Sequence, residues 1–435
     1  MKLTRRQFLA TAGGAAGLYV LTPLAARAGR AAGLGVDPST AARRRLVVVF
    51  LGGGNDGLNT VVPIADVRGG ARASVYRKLR PSIAYKPEET LPVDRPGDAD
   101  HGLGLNRSMP YVHGMYKDGR VAVVQGVDYP NHNYSHFTST DIWHSGEPDT
   151  GPLSGWVGRH LDRAGVGEGE LRAVGLGYQL PLLLRGEARQ GTGMISIPAT
   201  RFADGAEADP IVKARHDALV GFGRHPQAEA LASSVGREAR ATVGLVRELE
   251  GTTVPESTGD ALADSMITAR ILLERDLGVE IVYLEHHGFD THSTQRPAQE
   301  ALLAQLDNAL RLFWTGRIGE TQVLPEMQAA LAERTLVMTI SEFGRRIGEA
   351  GAADSAGTDH GAAGPLFLLG PPAAASALVG GVHGDHPDMG TPALPADDLM
   401  MTTDLRRVYS SVLDSWLGDP DPLFKRHAPV PGLFR

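Results

Sequence analysis

The 435-residue chain has no cysteine. That removes disulfides, thiolate metal sites and a cysteine nucleophile from the chemistry open to it. It has no excess of positive charge either: 43 basic residues stand against 50 acidic ones. Without the first 28 residues, which hold Lys2, Arg5, Arg6 and Arg27 and no acid, the balance is 39 against 50 and the net charge is near −11. Nucleic acid and anionic membrane are therefore poor partners. No apolar run is long enough to span a bilayer, because the stretch from Ala10 to Leu24 is interrupted by Gly13, Gly14, Gly17 and Pro23. Heptad seams and internal repeats are absent as well. What remains is an ordinary globular composition, 42% hydrophobic and 21% charged, able to bury a core unaided.

Residues 1–28 read as a twin-arginine export signal. Thr4-Arg5-Arg6-Gln7-Phe8-Leu9 precedes the weakly apolar stretch, and Ala26-Arg27-Ala28 has the small-residue form of a cleavage site. The expectations are passage through the twin-arginine export machinery, a periplasmic or secreted location, and no stable membrane anchor after cleavage. The absence of cysteine fits a protein that folds in the reducing cytosol before export. Residues 29–44 read as a flexible leader, and 45–435 as a single domain with a helical insertion around 205–275.

Arg45 to Leu51 is apolar on both faces, as a central parallel strand should be. It runs into Gly52-Gly53-Gly54-Asn55-Asp56-Gly57, whose glycines permit a tight turn and leave Asp56 at the strand's carboxyl end. No P-loop lysine follows. Residues 66–105 are turn-rich, an excursion from the sheet. Val121 to Val127 is a second strand, followed by Asn131-His132-Asn133-Tyr134-Ser135-His136, which opens a helix through Trp143. Ser135 suits two roles equally on this pattern: a helix cap, or a nucleophile whose anionic adduct is held by the helix N-terminus. A short strand is expected at Ala173 to Leu176, with amphipathic helices at Ala228 to Glu250 and Ala261 to Leu277.

The next strand, Val279 to Leu284, empties into Glu285-His286-His287-Gly288-Phe289-Asp290-Thr291-His292, dense in groups that can bind metal. Asp290 and His292 are the expected ligands, with Glu285 and His287 holding them in orientation. A helix from about Ala298 to Trp314 follows. Then comes a strand over Leu336 to Ile340 ending in Ser341-Glu342, a small-residue loop to Thr358-Asp359-His360-Gly361, and an apolar run from Pro365 to Leu369. A final helix spans Leu405 to Leu417. Strands alternating with helices imply an α/β fold, and in such sheets the crevice outside the strands' carboxyl ends is where ligands bind. Asp56, Asp290, His292, Glu342, Asp359 and His360 all fall there. Several carboxylates converging on one crevice repel unless cations neutralise them. One or two divalent ions are expected, and the mixed Asp, Glu and His donors suit Zn, Mn or Fe better than Ca.

The export signal together with GGGNDGLNTVVP, NYSHF, FDTH, TISEFGRR, GTDHG and TTDLRRVY, in that order, resembles the domain-of-unknown-function 1501 family over nearly the whole mature chain. That family is similar, more distantly, to the alkaline phosphatase and sulfatase superfamily. The resemblance implies a three-layer α/β sandwich with a central, mostly parallel sheet flanked by helices. It also implies a hydroxyl nucleophile beside metals held by Asp and His at strand ends. By position, Asp56 and Asp290 match aspartate ligands, Ser135 the nucleophile, Glu342 the carboxylate of an Asp-His pair, and His360 a late histidine. His136 and Arg345 fall among the supporting residues. Phe343 replaces the histidine of that pair, and His292 follows Asp290 by two residues where the superfamily spaces four. No S-x-P-x-R motif surrounds Ser135, so formylglycine maturation is not expected.

Two functions follow as expectations. The first is an exported metal-dependent hydrolase or transferase acting on small anionic phosphate or sulfate esters. The alternative is a non-catalytic periplasmic binding or maturation protein with a degenerate metal site.

Overall fold

The computed structural model describes residues 43–67, 72–93, 101–149, 153–164, 172–195, 197, 249, 252–275, 277–371, 377–389 and 398–435. The export signal, most of the leader and the helix expected at Ala228 to Glu250 lie outside the described residues. Among the described residues, nine strands make the main sheet: β1 (Arg45–Gly52), β2 (Val121–Asp128), β3 (Ala173–Leu176), β4 (Thr192–Met194), β5 (Ile281–His287), β6 (Thr335–Ile340), β7 (Gly364–Leu369), β8 (Gly381–His383) and β9 (Thr403–Asp404). Their order across the sheet is β8-β2-β7-β6-β1-β5-β3-β4, with β9 also paired to β2.

β1 sits at the centre, parallel to β6 on one side and β5 on the other. All eight of its residues are buried, the pattern its unbroken apolar run foretells. Only β7 runs against the rest, antiparallel to both β6 and β2. This reversal matters for the site. A strand running backwards begins at the edge where its neighbours end, so the Asp359-His360 loop before β7 arrives beside the loops that follow β1, β5 and β6.

Successive side chains on a strand point to opposite faces, and two cores result. Val47, Val49, Val282, Leu284 and Val337 face helices α1 (Pro110–Lys117), α4 (Ala261–Glu274) and α5 (Gln295–Thr315). Leu46, Val48, Phe50, Tyr283 and Met338 face α2 (His136–Ser145), α3 (Trp156–Arg163) and α6 (Leu405–Ser411). The fold is thus an α/β arrangement, a mixed but mostly parallel sheet covered by helices on both faces. Burying an aliphatic or aromatic side chain of this kind is worth roughly 1.5–3 kcal/mol, so each face is stabilised well beyond what helix propensity alone supplies.

Helix ends follow the expected chemistry. Asp260 caps α4 by accepting from the Leu262 and Ala263 amides at 2.9 and 3.2 Å, and Asp404 caps α6 through the Arg406 amide at 2.9 Å. The excursion after β1 carries a small three-stranded sheet, Val61–Pro63, Leu103–Asn106 and Thr90–Pro92. One boundary differs from the sequence expectation in a way that bears on function. β5 extends through His287, because Phe50, Leu51 and Gly52 of β1 continue the ladder opposite Glu285, His286 and His287. Those three residues are strand, not loop, and so alternate in direction. Among the described residues, no helix is long and apolar enough to cross a membrane.

Candidate metal centre

The loops past the carboxyl ends of β1, β5 and β6 are fastened together by one side chain, Arg345. Its guanidinium is fully buried and donates to the carbonyls of Gly54 at 2.9 Å, Thr358 at 2.8 Å, Phe289 at 2.9 Å and Gly53, and to Asp290 Oδ1 at 2.7 Å. Five acceptors from three separate loops on one planar cation fix those loops relative to each other. The glycines allow the approach: Gly53 has φ +117°, and a Cβ there would stand 2.3 Å from the Asp290 amide.

Around the Asp290 carboxylate stand three histidines. His292 Nε2 lies 2.9 Å and His360 Nε2 3.1 Å from Oδ1, and His136 Nε2 lies 3.5 Å from Oδ2. The His292 and His360 Nε2 atoms are 3.0 Å apart. Asp359 completes the group, with Oδ1 3.8 Å from His292 Nδ1. Two sets of donors close enough to share one ion result, His136–Asp290–His360 and His292–Asp359–His360.

The remaining ring nitrogens decide what these histidines offer. His136 Nδ1 lies 2.8 Å from Glu342 Oε1, and His360 Nδ1 lies 2.9 Å from the Tyr134 carbonyl. Both partners only accept, so both Nδ1 atoms carry the proton, and the neutral rings turn bare Nε2 lone pairs toward Asp290. Lone pairs facing a carboxylate are satisfied in two ways: by protonating the rings, or by a cation that all of them ligate. Imidazole and carboxylate donors of this kind fit a divalent ion such as Zn, Mn or Fe, and a Ca cage of oxygens fits poorly. Asp290 is ready to serve. Partial burial pushes its pKa up, but the hydrogen bond and charge of Arg345 outweigh this and hold it down at about 2.

Several expected residues take other places than the sequence suggested. Glu342, read as a ligand, is buried beneath His136, where Oε1 accepts from His136 Nδ1 and from the Gly53 amide at 2.8 Å. Its carboxylate fixes the His136 ring, and His136, read as support, turns its Nε2 toward Asp290. Asp56 is not brought to the cluster. It is fully buried, with Oδ2 2.6 Å from Arg80 Nη1 and accepting also from Gln295. Glu285 and His287 pair with each other, Oε2 to Nε2 at 2.9 Å. Ser135 occupies the N-cap of α2, but its side chain makes no capping bond and the residue is exposed. Its hydroxyl stands at the helix N-terminus immediately before His136.

Phe343 is buried against the ligand rings, 4.8 Å from His136 and 4.5 Å from His360 between centroids. It forms an apolar wall behind them. Two residues escaped sequence reasoning. Tyr134 holds His360 by its carbonyl, while its hydroxyl donates to Asp398 Oδ2 at 2.6 Å. Asp398 also accepts from the Ala362 amide at 2.6 Å, pinning the chain two residues beyond His360. Position in NYSHF was a signal for Tyr134; nothing in the sequence marks Asp398.

A family model described as "Protein of unknown function (DUF1501)" matches residues 43–418. No curated protein matches the chain. Among solved structures it is similar to Ps i-CgsB in complex with k-i-k-neocarrahexaose, at 7% identity over 90% of this chain and 75% of that one, with a TM-score of 0.36. It is also similar to the phosphonoacetate hydrolase from Sinorhizobium meliloti 1021, in complexes with phosphonoformate and with phosphonoacetate. There the identity is 15%, over 70% of this chain and 57% of that one, with a TM-score of 0.28. The chain thus spans little more than half the length of that hydrolase. Superpositions this loose place no residue of this chain on a residue of theirs.

Proposed function

We propose that this chain, which belongs to the DUF1501 family of proteins of unknown function, is a metal-dependent hydrolase or transferase of phosphate or sulfate esters. We further propose an alkaline phosphatase-like version of the α/β fold, exported by the twin-arginine route. One observation carries the enzymatic reading. Two histidines with Nδ1 committed elsewhere aim Nε2 at the Asp290 carboxylate, directly beside a helix N-terminus whose Ser135 hydroxyl caps nothing.

A divalent cation bound there supplies Lewis-acid charge for an anionic ester and its developing negative charge. The chain's own residues do the rest. Asp290, His292, His360, His136 and Asp359 would hold the ion; Glu342 and the Tyr134 carbonyl fix two imidazole tautomers. Ser135 Oγ attacks the ester, and the first amides of α2, unused by any side-chain cap, face the transferred anion. Phe343 and the buried Arg345 keep the rings and loops from yielding.

A second reading has an observation of its own. Phe343 presents an apolar ring to both His136 and His360, as suits a site that binds metal for stability without turnover. The test is elemental analysis of the purified mature protein, followed by assay on a panel of aryl phosphates and aryl sulfates, wild type against Ser135→Ala. Turnover of an ester lost in Ser135→Ala at unchanged metal content supports the enzyme. Bound metal with no Ser135-dependent turnover leaves the binding protein.

A further inference from the structure

Tyr283, Glu285 and His287 are alternate residues of β5 and so share one face of the sheet. That face is the one covered by α2. The Tyr283 hydroxyl lies 3.3 Å from His144 Nε2 near the end of α2, and the Phe50 ring lies 5.6 Å from His144 and 6.5 Å from His287. α2 begins at the metal centre with His136 and runs down to His144 on Tyr283, antiparallel to β5. From His144 back to His136 is eight helical residues, about 12 Å; from Tyr283 up to His287 is four strand residues, about 13 Å. His287 therefore emerges level with His136, on the sheet face that α2 covers.

The pair is built as an acid–base dyad. Glu285 Oε1 accepts from the Tyr283 hydroxyl at 3.1 Å, and Oε2 faces His287 Nε2 at 2.9 Å. The carboxylate fixes the Nε2–H tautomer, so the neutral ring presents a bare Nδ1. The His287 side chain is 66% exposed. Gly52 makes room for it: a Cβ at Gly52 would stand 2.5 Å from His287 Nδ1. The groups facing the imidazole are Glu285 and Tyr283 on its own strand, Glu342 from the loop after β6 and, beyond Tyr283, His144 on α2.

We propose that His287, held by Glu285, is a further catalytic residue: the general acid and base for the ester group transferred to Ser135. The inference rests on the enzymatic reading above. In the first step the Ser135 oxygen, its own proton already given up to water, bonds to phosphorus or sulfur, and the bond to the ester oxygen breaks. The imidazolium Nδ1–H of His287 passes its proton to the departing oxygen, which leaves as a neutral alcohol. In the second step the neutral Nδ1 takes a proton from an attacking water, whose oxygen displaces Ser135 Oγ. Ser135 Oγ leaves as the alkoxide and His287 keeps the proton taken from water, so both groups return to the states in which they began, with no other reactant than water. The hydrogen bond that His287 donates to Glu285, the largest influence on the ring, raises the His287 pKa above its ordinary value, which favours the acid form.

The test uses the metal-loaded mature protein, with His287→Asn and Glu285→Gln, on two aryl esters of the class the wild type turns over: one with a nitro-activated leaving group, one with unactivated phenol. His287→Asn lowers kcat/KM for the phenyl ester about 100-fold and for the nitro-activated ester only a few-fold, at unchanged metal content, and added imidazole restores the phenyl activity. Glu285→Gln moves the limb of the pH profile that reports protonated His287 to lower pH. Equal losses on both esters, or no loss on either, overturn the assignment and leave the enzymatic reading standing. A metal-loaded wild type that turns over no ester overturns both.

Discussion

Replacing Arg345 by Met removes the fastener of the centre and keeps most of the buried stem's volume. Three backbone carbonyls, of Gly53, Gly54 and Thr358, lose their donor, while that of Phe289 keeps the Thr291 amide. At roughly 1 kcal/mol for each buried acceptor left unpaired, the cost is about 3 kcal/mol. The share of Asp290 is left out, because that carboxylate is 47% exposed and its attraction is screened. The sum agrees with the ~3–5 kcal/mol that follows from removing one partner of a buried charged network. Arg345→Lys keeps one charged donor and loses the fork, so its cost is about 2–3 kcal/mol. Both are measured by urea unfolding of the metal-free protein, which separates the fastening from any ion the site binds. A loss in Arg345→Met below about 1 kcal/mol would mean that the three loops are held by something else.

The Arg80–Asp56 pair has both side chains fully buried. Arg80→Met strands the carboxylate and destabilises by about 3–5 kcal/mol, against less for Arg80→Met combined with Asp56→Leu, in the same unfolding assay. Tyr134→Phe deletes the hydrogen bond to Asp398 but not the carbonyl on His360, and lowers affinity for Zn or Mn about tenfold in an equilibrium metal titration; unchanged affinity would show that Asp398 positions nothing. Asp290 titrates at about 2, below its ordinary 3.8, so the folded state takes up its proton less readily than the unfolded one. Its contribution to stability is complete above 3.8 and is lost as pH falls through about 2. Acid unfolding of metal-free wild type shows that dependence, and Asp290→Asn lacks it.

The strands were legible because apolar, β-branched runs buried on both faces leave no ambiguity: β1 and β6 fall where their sequences place them. The edge to which the chemistry comes was legible too, since Asp290, His292, Asp359 and His360 all stand at strand ends and converge. What sequence could not decide was which member of a carboxylate–histidine pair looks inward. Glu342 and His136 are 206 residues apart, and only their packing shows that the carboxylate lies beneath the ring. Asp56 misled for a similar reason. Its position after β1 suggested a ligand, but a partner from a distant segment, Arg80, claims it. The Glu285–His287 dyad was obscured by a strand boundary set by β1's register rather than by β5's own apolar run.

Whether a divalent ion binds at Asp290 and the histidines around it is decided most sharply at His360, because both donor sets share it. The measurement is metal stoichiometry and affinity, by elemental analysis and competition titration, for wild type, His360→Ala and Glu285→Gln. Bound metal at this centre means tightly held transition metal in the wild type, loss of it in His360→Ala, and no change in Glu285→Gln. A wild type that retains no metal after loading, or a His360→Ala protein that binds it as tightly, would contradict it.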